Sequence, residues 1–464
     1  MEILIFTWDL ARVGNMWQGR WRTAGLLVLC CCAPLATGAE TLEDAWKAAL
    51  AVDFGLQSST SQVDAARRGL RSAQAGRLPT VDINSTYVGL TNKPRFDIAK
   101  GLGLDLPPSV PNPTAGGSPV STSRLTSYSL GNRSTGQVQA MVTWPIFTGG
   151  TITGTIKAAG SGLDSYRWQR NRAELELKLA VAEAYVNVLR AQQATTISKE
   201  EVRTLAAHVH DVTDLHQHGY VPKNDLLAVQ VSQAQAEERR MQVDNALELA
   251  RSAYNRLMQR PFEQAVELAE LSPPKPPQAL ATYTDQALVQ RPELKALTSQ
   301  AQALRHTAQA IRGGLLPQVA LVGGYTHIDM DALEKQNYGY GGVSVDWRIF
   351  DFGATRNRAG AANATSDSLR HQMEDARSLI SLQVRQAWLD LNESLQRIKV
   401  TEQALHSADE DLKVTRDRYR SGYGTNTEVL DAETRRTGAY VNHNNAIYDA
   451  QYNELRLRQA SGAL

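Results

Sequence analysis

Trp144-Pro145-Ile146-Phe147 and Trp347-Arg348-Ile349-Phe350 are one four-residue pattern written twice, 203 residues apart. Working outward, the same offset pairs Val181-Ala182-Glu183-Ala184-Tyr185 with Val384-Arg385-Gln386-Ala387-Trp388. It also pairs Gly219-Tyr220 with Gly422-Tyr423, and Asp225-Leu226-Leu227 with Glu428-Val429-Leu430. Upstream the offset becomes 238, where Gly76-Arg77-Leu78-Pro79 meets Gly314-Leu315-Leu316-Pro317. The 35 residues of difference lie in the first half, between Pro79 and Trp144. An offset held over more than 80 residues marks an internal duplication.

Each half has one plan. Thr41 to Leu78 is proline-free and opens on a capping-box-like Thr41-Leu42-Glu43-Asp44, so it reads as helix; Thr282 to Leu315 is its counterpart, interrupted at Arg291-Pro292. Alternating stretches follow. Val138, Ala140, Val142 and Trp144 share one face against Gln137, Gln139 and Thr143; Val343, Val345 and Trp347 alternate with Ser344 and Asp346. Strands are expected near 81–90, 137–146, 317–328 and 338–349. Residues 91–136, with Leu106-Pro107-Pro108-Ser109-Val110-Pro111-Asn112-Pro113, read as a long exposed loop. The second hairpin's connection is shorter, near Asp329 to Gln336.

After each second strand comes a long proline-free stretch, roughly Thr155 to His218 and Ala354 to Ser421. At ~1.5 Å per residue, about 65 helical residues span on the order of 100 Å. Leu177, Val181, Ala184 and Val188, with Ile380, Val384, Ala387 and Leu391 at matching positions, follow the 4–3–4 spacing of a coiled-coil seam. Gly219 and Gly422 mark turns into returning helices near Asp225 to Gln259 and Glu428 to Gln459. The expected units are a signal peptide (1–39), a first repeat (40–261), a linker (262–281) and a second repeat (282–464).

The near balance of 49 Lys+Arg against 48 Asp+Glu excludes a basic field for nucleic acid. A hydrophobic content of 42% excludes wholesale disorder, and no run after residue 40 reaches the ~20 apolar residues of a membrane helix. Arg20 and Arg22, the apolar run Ala24 to Ala36 and the small residues Thr37-Gly38-Ala39 read as a secretory signal, with Met16 an alternative start. Cys30, Cys31 and Cys32 all fall inside it, so the processed chain is expected to hold no disulfide, cysteine nucleophile or cysteine metal site. Lipidation at a cysteine is the rival reading; Leu29 stands where a small residue is usual. No Walker A, GxGxxG, HExxH or GxSxG pattern occurs, so no catalytic residue, cofactor or metal is assigned and an enzyme is not expected.

Four strands with an apolar face cannot remain an open sheet in a membrane, because the unpaired edges are too costly. They are also too few to close a single-chain barrel, which begins near eight strands. Three copies would supply twelve strands without an edge, and their long helices would pack as a tube below.

In these features the chain resembles the TolC family of outer-membrane channel-tunnel proteins. The resemblance rests on Glu40-Thr41-Leu42-Glu43-Asp44-Ala45-Trp46, Arg291-Pro292-Glu293-Leu294, the Trp-x-Ile-Phe strand ends, Gly422-Tyr423-Gly424-Thr425 and Glu428-Val429-Leu430-Asp431-Ala432, by their order along the chain and their duplication together. It implies a membrane α/β channel-tunnel: a trimeric, twelve-stranded β-barrel over a coiled-coil α-barrel in the periplasm of a Gram-negative cell. It implies a homotrimer in outer-membrane lipid, with a periplasmic adaptor and an inner-membrane pump as partners. Efflux of drugs or small molecules is the favoured use, with type I protein secretion and metal efflux as alternatives. A periplasmic coiled-coil adaptor is the non-channel alternative; adaptors carry one helical hairpin rather than two equal halves.

The resemblance also suggests site residues. Glu428 and Asp431, three apart on one helix face, match by position the acidic pair that rings the family's periplasmic entrance. Spacing alone fits an ordinary solvated face; in triplicate, six carboxylates would favour cations. Asp225 is the first-half equivalent of Glu428. Tyr419 matches a family tyrosine that helps hold the closed state, whereas the accompanying family arginine falls on Gly424. Gly219 and Gly422 are turn formers, where adaptor hairpins dock in the family. Trp144 and Trp347 suit an interfacial aromatic belt, or packing against the helix junction. His208, His210, His216 and His218 tempt a metal reading beside Asp211 and Asp214. Residues two apart diverge by about 200° around a helix, so a solvated surface is expected instead.

Overall fold

A computed structural model describes residues 39–93, 95–110, 119–122, 126–129, 133–329 and 333–464. Residues 1–38 of the expected signal peptide, with its cysteines and the lipidation alternative, lie outside the described residues.

Helices α1 (Leu42–Val52) and α2 (Phe54–Ala75) replace the single helix expected over Thr41 to Leu78. Asp53 makes the break. It ends α1 in an extended conformation, and its Oδ1 accepts from Leu56 N at 2.7 Å to cap α2. At the 238 offset Asp53 corresponds to Arg291, which sits at the matching break between α5 (Leu280–Gln290) and α6 (Pro292–Gly313).

Four antiparallel strands form one sheet in chain order: β1 (Thr80–Gly89), β2 (Ser134–Phe147), β3 (Gln318–Asp329) and β4 (Asn337–Asp346). Strand β2 begins before residue 137, and β4 ends at Asp346, so Trp347 and Ile349 lie beyond the strand that was expected to reach 349. The stretch 91–136 is not uniformly loop: Arg95–Asp97 pairs with Ser127–Ser129 and Ser109–Val110 with Val120–Ser121.

The register makes the sheet amphipathic. Val81↔Val142↔Gly323↔Gly341 and Ile83↔Ala140↔Tyr325↔Gly339 share one face. Trp144, Leu321 and Val343 extend it. Asn84, Gln139, Thr326 and Tyr338 share the other face, where Gln139 Nε2 donates to Tyr340 Oη at 2.8 Å. The apolar face has no cover within the chain: Ile83 is 75% exposed, and Val81, Val343 and Val345 are similarly bare. Soluble proteins rarely leave such a continuous patch open. Among the described residues, β1 and β4 each have one unpaired edge.

Helices α3 (Thr151–Gln217) and α7 (Ala354–Arg420) are both 67 residues long, about 100 Å each. Each starts after a left-handed glycine, Gly150 or Gly353. They return as α4 (Lys223–Leu257) and α8 (Asn426–Ser461). In the expected seam Leu177, Val181 and Val188 are buried with Ala184 half-buried, and Ile380, Val384, Ala387 and Leu391 are all buried. Each fully buried aliphatic side chain contributes roughly 1.5–3 kcal/mol before entropy is counted.

Midway along the helices α1 and the linker clamp onto α3. Glu40 bridges to Leu268 in parallel, and its carboxylate takes both Arg260 Nη atoms at 2.9 and 2.8 Å. Tyr185, fully buried, shares its hydroxyl proton between Glu40 O at 2.8 Å and Ala269 O at 2.6 Å. Burial pushes its pKa up to about 12.

Candidate functional site

The far ends of the two helical hairpins meet, and there the candidate residues gather. Each turn passes through one left-handed glycine, Gly219 at φ +76° and Gly422 at +77°, a conformation that costs glycine little and other residues more. A buried apolar cluster joins the hairpins: Val212, Val229, Leu412, Tyr419, Val429 and Ala432.

Polar ties cross between the hairpins. Asn426, buried as the first residue of α8, donates from Nδ2 to Asp225 O at 3.2 Å. Its Oδ1 must therefore accept, so His208 Nε2, 2.9 Å away, carries the proton. His208 is 4% exposed and meets the Tyr419 ring edge-on, with centroids 5.5 Å apart. Burial lowers the His208 pKa, with the Asn426 bond and Asp211 opposing and Arg416 and Arg420 adding to it. Nearer the surface Arg420 Nη2 reaches Asp211 Oδ2 at 2.7 Å. Tyr419 Oη is buried without a hydrogen-bond partner among the described residues, and burial first, then Asp225 and Asp211, raises its pKa.

Glu428 and Asp431 are both exposed on the first turns of α8. Glu428 has a second role that spacing did not reveal: with Thr425 it closes a capping box, Glu428 N donating to Thr425 Oγ1 at 3.3 Å and Thr425 N to Glu428 Oε2 at 3.5 Å. Asp225, half-buried on α4, enters the ties through its backbone carbonyl. The four histidines do not converge. His208 is inside, His216 Nδ1 lies 3.0 Å from Val221 O, His218 Nδ1 lies 2.7 Å from Asp214 O, and His210 lies 3.6 Å from Asp214. No group of three His, Cys, Asp or Glu side chains suited to a metal occurs among the described residues.

Further along α8 sits a charge cluster that sequence reasoning missed. Glu433 is 3% exposed between Arg416 at 3.7 Å and Arg436 at 3.8 Å, and Arg436 also reaches Asp409 at 2.6 Å. Burial raises the Glu433 pKa against the pull of both arginines. Only its place in the helix register, one turn past Val429, could have pointed to it. Trp144 and Trp347 stand at the opposite end, half exposed at the sheet's lower margin, where Trp347 Nε1 donates to Leu315 O at 3.1 Å.

A family model described as outer membrane efflux protein matches residues 46–259 and 283–463, a segment in each half. The chain is 24% identical over 305 residues to the alkaline protease secretion protein AprF of Pseudomonas aeruginosa, covering 62% of each chain. It is 26% identical over 302 residues to the outer membrane protein TolC of Vibrio cholerae, covering 62% of this chain and 68% of that one. The chain thus spans roughly two thirds of the length of these relatives. Solved structures match more completely in fold. The CusC channel superposes with a TM-score of 0.74 at 16% identity, over 91% of this chain and 92% of that one. VceC of Vibrio cholerae gives 0.72 at 16% identity, over 91% and 96%. The fold is the channel-tunnel fold, and its family is one of channels rather than enzymes. The chain belongs to the outer membrane efflux protein family, the TolC family, whose place is the outer membrane of a Gram-negative cell with the helices reaching into the periplasm.

Proposed function

We propose that three copies of this chain close a twelve-stranded barrel and a helical tunnel, forming an exit duct from an inner-membrane pump and its periplasmic adaptor to the exterior. The observation that carries this reading is the sheet: four strands, one bare apolar face, one polar face and an unpaired edge at each side. Facing lipid outside and water inside, and pairing β4 of one copy with β1 of the next, removes both penalties at once. Residues 40–261 and 282–464 are read as two copies of one unit, joined by 262–281.

Efflux of drugs or small molecules is the favoured use. Type I protein secretion is the second reading, supported by the similarity to a protein named for alkaline protease secretion. At the tip, Glu428 and Asp431 would ring the periplasmic entrance with Asp225 close by, Tyr419 would hold it closed, and Gly219 and Gly422 would present the turns to an adaptor. Trp144 and Trp347 would form the belt at the periplasmic boundary of the outer membrane.

Single-channel recording in planar bilayers tests the duct and its entrance together. The parent protein is expected to show discrete, cation-preferring conductance. Glu428→Gln with Asp431→Asn should abolish the preference while leaving the pore; Gln keeps the capping box intact. Unchanged selectivity would remove the two carboxylates from the entrance, and absence of any conductance would remove the duct.

A further inference from the structure

The chain contains one complete seam between its halves. There the turn from β2 into α3 meets the turn from α6 into β3, and glycines make the contact. A Cβ at Gly149 would overlap Gly313 O and lie 2.7 Å from Leu316 Cβ; one at Gly313 would lie 2.7 Å from Thr151 N; one at Gly154 would lie 2.8 Å from Ala310 Cα. No side chain fits at these positions.

Each partner in this seam has an uncovered counterpart at a free edge of the sheet. The turn from α2 into β1 repeats the turn from α6 into β3. Leu78 N bonds Ala75 O at 2.8 Å as Leu316 N bonds Gly313 O at 3.1 Å, and Gly76 and Gly314 have φ of −60° and −68°. Leu78 is left 62% exposed. The turn from β4 into α7 repeats the turn from β2 into α3, with φ of +53° and +81° at Phe352 and Gly353 against +59° and +91° at Gly149 and Gly150. Phe352 is therefore a bulky residue in a left-handed conformation where the first half has glycine, a strain that persists only where something compensates it. Its ring is 89% exposed and meets Phe350 edge-on at 4.6 Å.

We infer that Phe352 of one copy packs against Ala75 and Leu78 of the next copy, making the seam between copies wider at the barrel–helix junction than the seam within the chain. The inference rests on the trimeric reading above. Under the two offsets Gly149, Gly154 and Gly313 become Phe352, Asn357 and Ala75, so both sides of the contact gain side chains and the close glycine approach cannot recur. An apolar ring then fills the extra space, and the strained backbone is compensated by burial that the single chain lacks. The likeness of the two halves is thereby reduced from six-fold to three-fold at this level.

Paired cysteines test the contact in the full chain purified in detergent. Leu78→Cys with Phe352→Cys should oxidise to covalent dimers and trimers on non-reducing gels, and neither single variant should do so; a disulfide requires Cβ atoms roughly 3.5–4.5 Å apart. Phe352→Gly should relieve the strained turn yet weaken trimer association by roughly tenfold or more, read by light scattering on dilution. A stable trimer that forms no cross-link, or whose association Phe352→Gly leaves unchanged, would overturn the contact and assign the ring to lipid. A parent chain that is monomeric in detergent would instead overturn the assembly reading, and this contact with it.

Discussion

In the proposed duct the packed tip is the closed entrance, and His208→Ala should loosen it. His208 is inside the hairpin crossing, its Nε2–H is the partner of Asn426 Oδ1, and its ring supports Tyr419. Alanine leaves a buried carbonyl oxygen unpaired, about 1–3 kcal/mol, and the lost ring leaves a cavity costing roughly another 1–2 kcal/mol. About 3 kcal/mol per copy, falling wholly on the closed arrangement, would change the closed-to-open ratio by roughly 150-fold. In bilayers the variant should show more frequent or longer openings than the parent at neutral pH. The parent should also respond to acid. Burial holds the His208 pKa below its ordinary value, so the neutral form belongs to the packed tip. The groups facing it are Arg416, Tyr419 and Arg420 on α7, Asn426 on α8 and Asp211 on its own helix, with Asp225 of α4 beyond Asn426. The tie is fully present above the ordinary histidine pKa of about 6.5, weakens as pH falls from there toward the depressed value, and levels off below it. His208→Ala should lose this component of the pH profile. An alanine variant with the parent's openings and the parent's pH response would refute the reasoning.

Two further substitutions test the packing of the chain. Gly149→Ala should destabilise the folded protein by about 3 kcal/mol or more, because the left-handed φ costs roughly 1–2 kcal/mol and the new methyl overlaps the α6 turn; Gly150→Ala, with open space around it, should show only the first part. Thermal melts of the two variants in detergent would compare them directly. Tyr185→Phe should cost about 1 kcal/mol, because the half-buried Ala269 O loses its donor while Glu40 O keeps the Ala269 N–H at 3.0 Å. In the parent this contribution should persist up to pH 10 and disappear as pH rises toward about 12, the raised folded-state pKa, a dependence the phenylalanine variant should lack in denaturation curves.

Much of the fold was legible without coordinates. The 67-residue helices follow from long runs without proline, the strands from two-residue alternation, and the seam residues from 4–3–4 spacing. What the residue order did not show was local chemistry with a tertiary consequence. The break at Asp53 carries no proline or glycine; only its match with Arg291 across the offset hinted at it. The end of β4 at Asp346 was overrun because Trp347 continues the alternation, yet its indole turns to Leu315 O. Glu428 looked like a free carboxylate because the capping box needs Thr425 at N-cap, and that required knowing where α8 begins.

For the candidate site the division is sharper. Backbone periodicity is a local property, so residue order alone set the repeats, the hairpin turns at Gly219 and Gly422, and the polar and apolar faces of the sheet. Which side chains meet at the tip depends on how two hairpins cross after running about 100 Å from the sheet. That crossing buried His208 against Asn426, 218 positions away, while leaving His210 exposed one half-turn on. It also enclosed Glu433 between two arginines. Burial and pairing at such distances are decided by helix packing, which only the tertiary structure supplies.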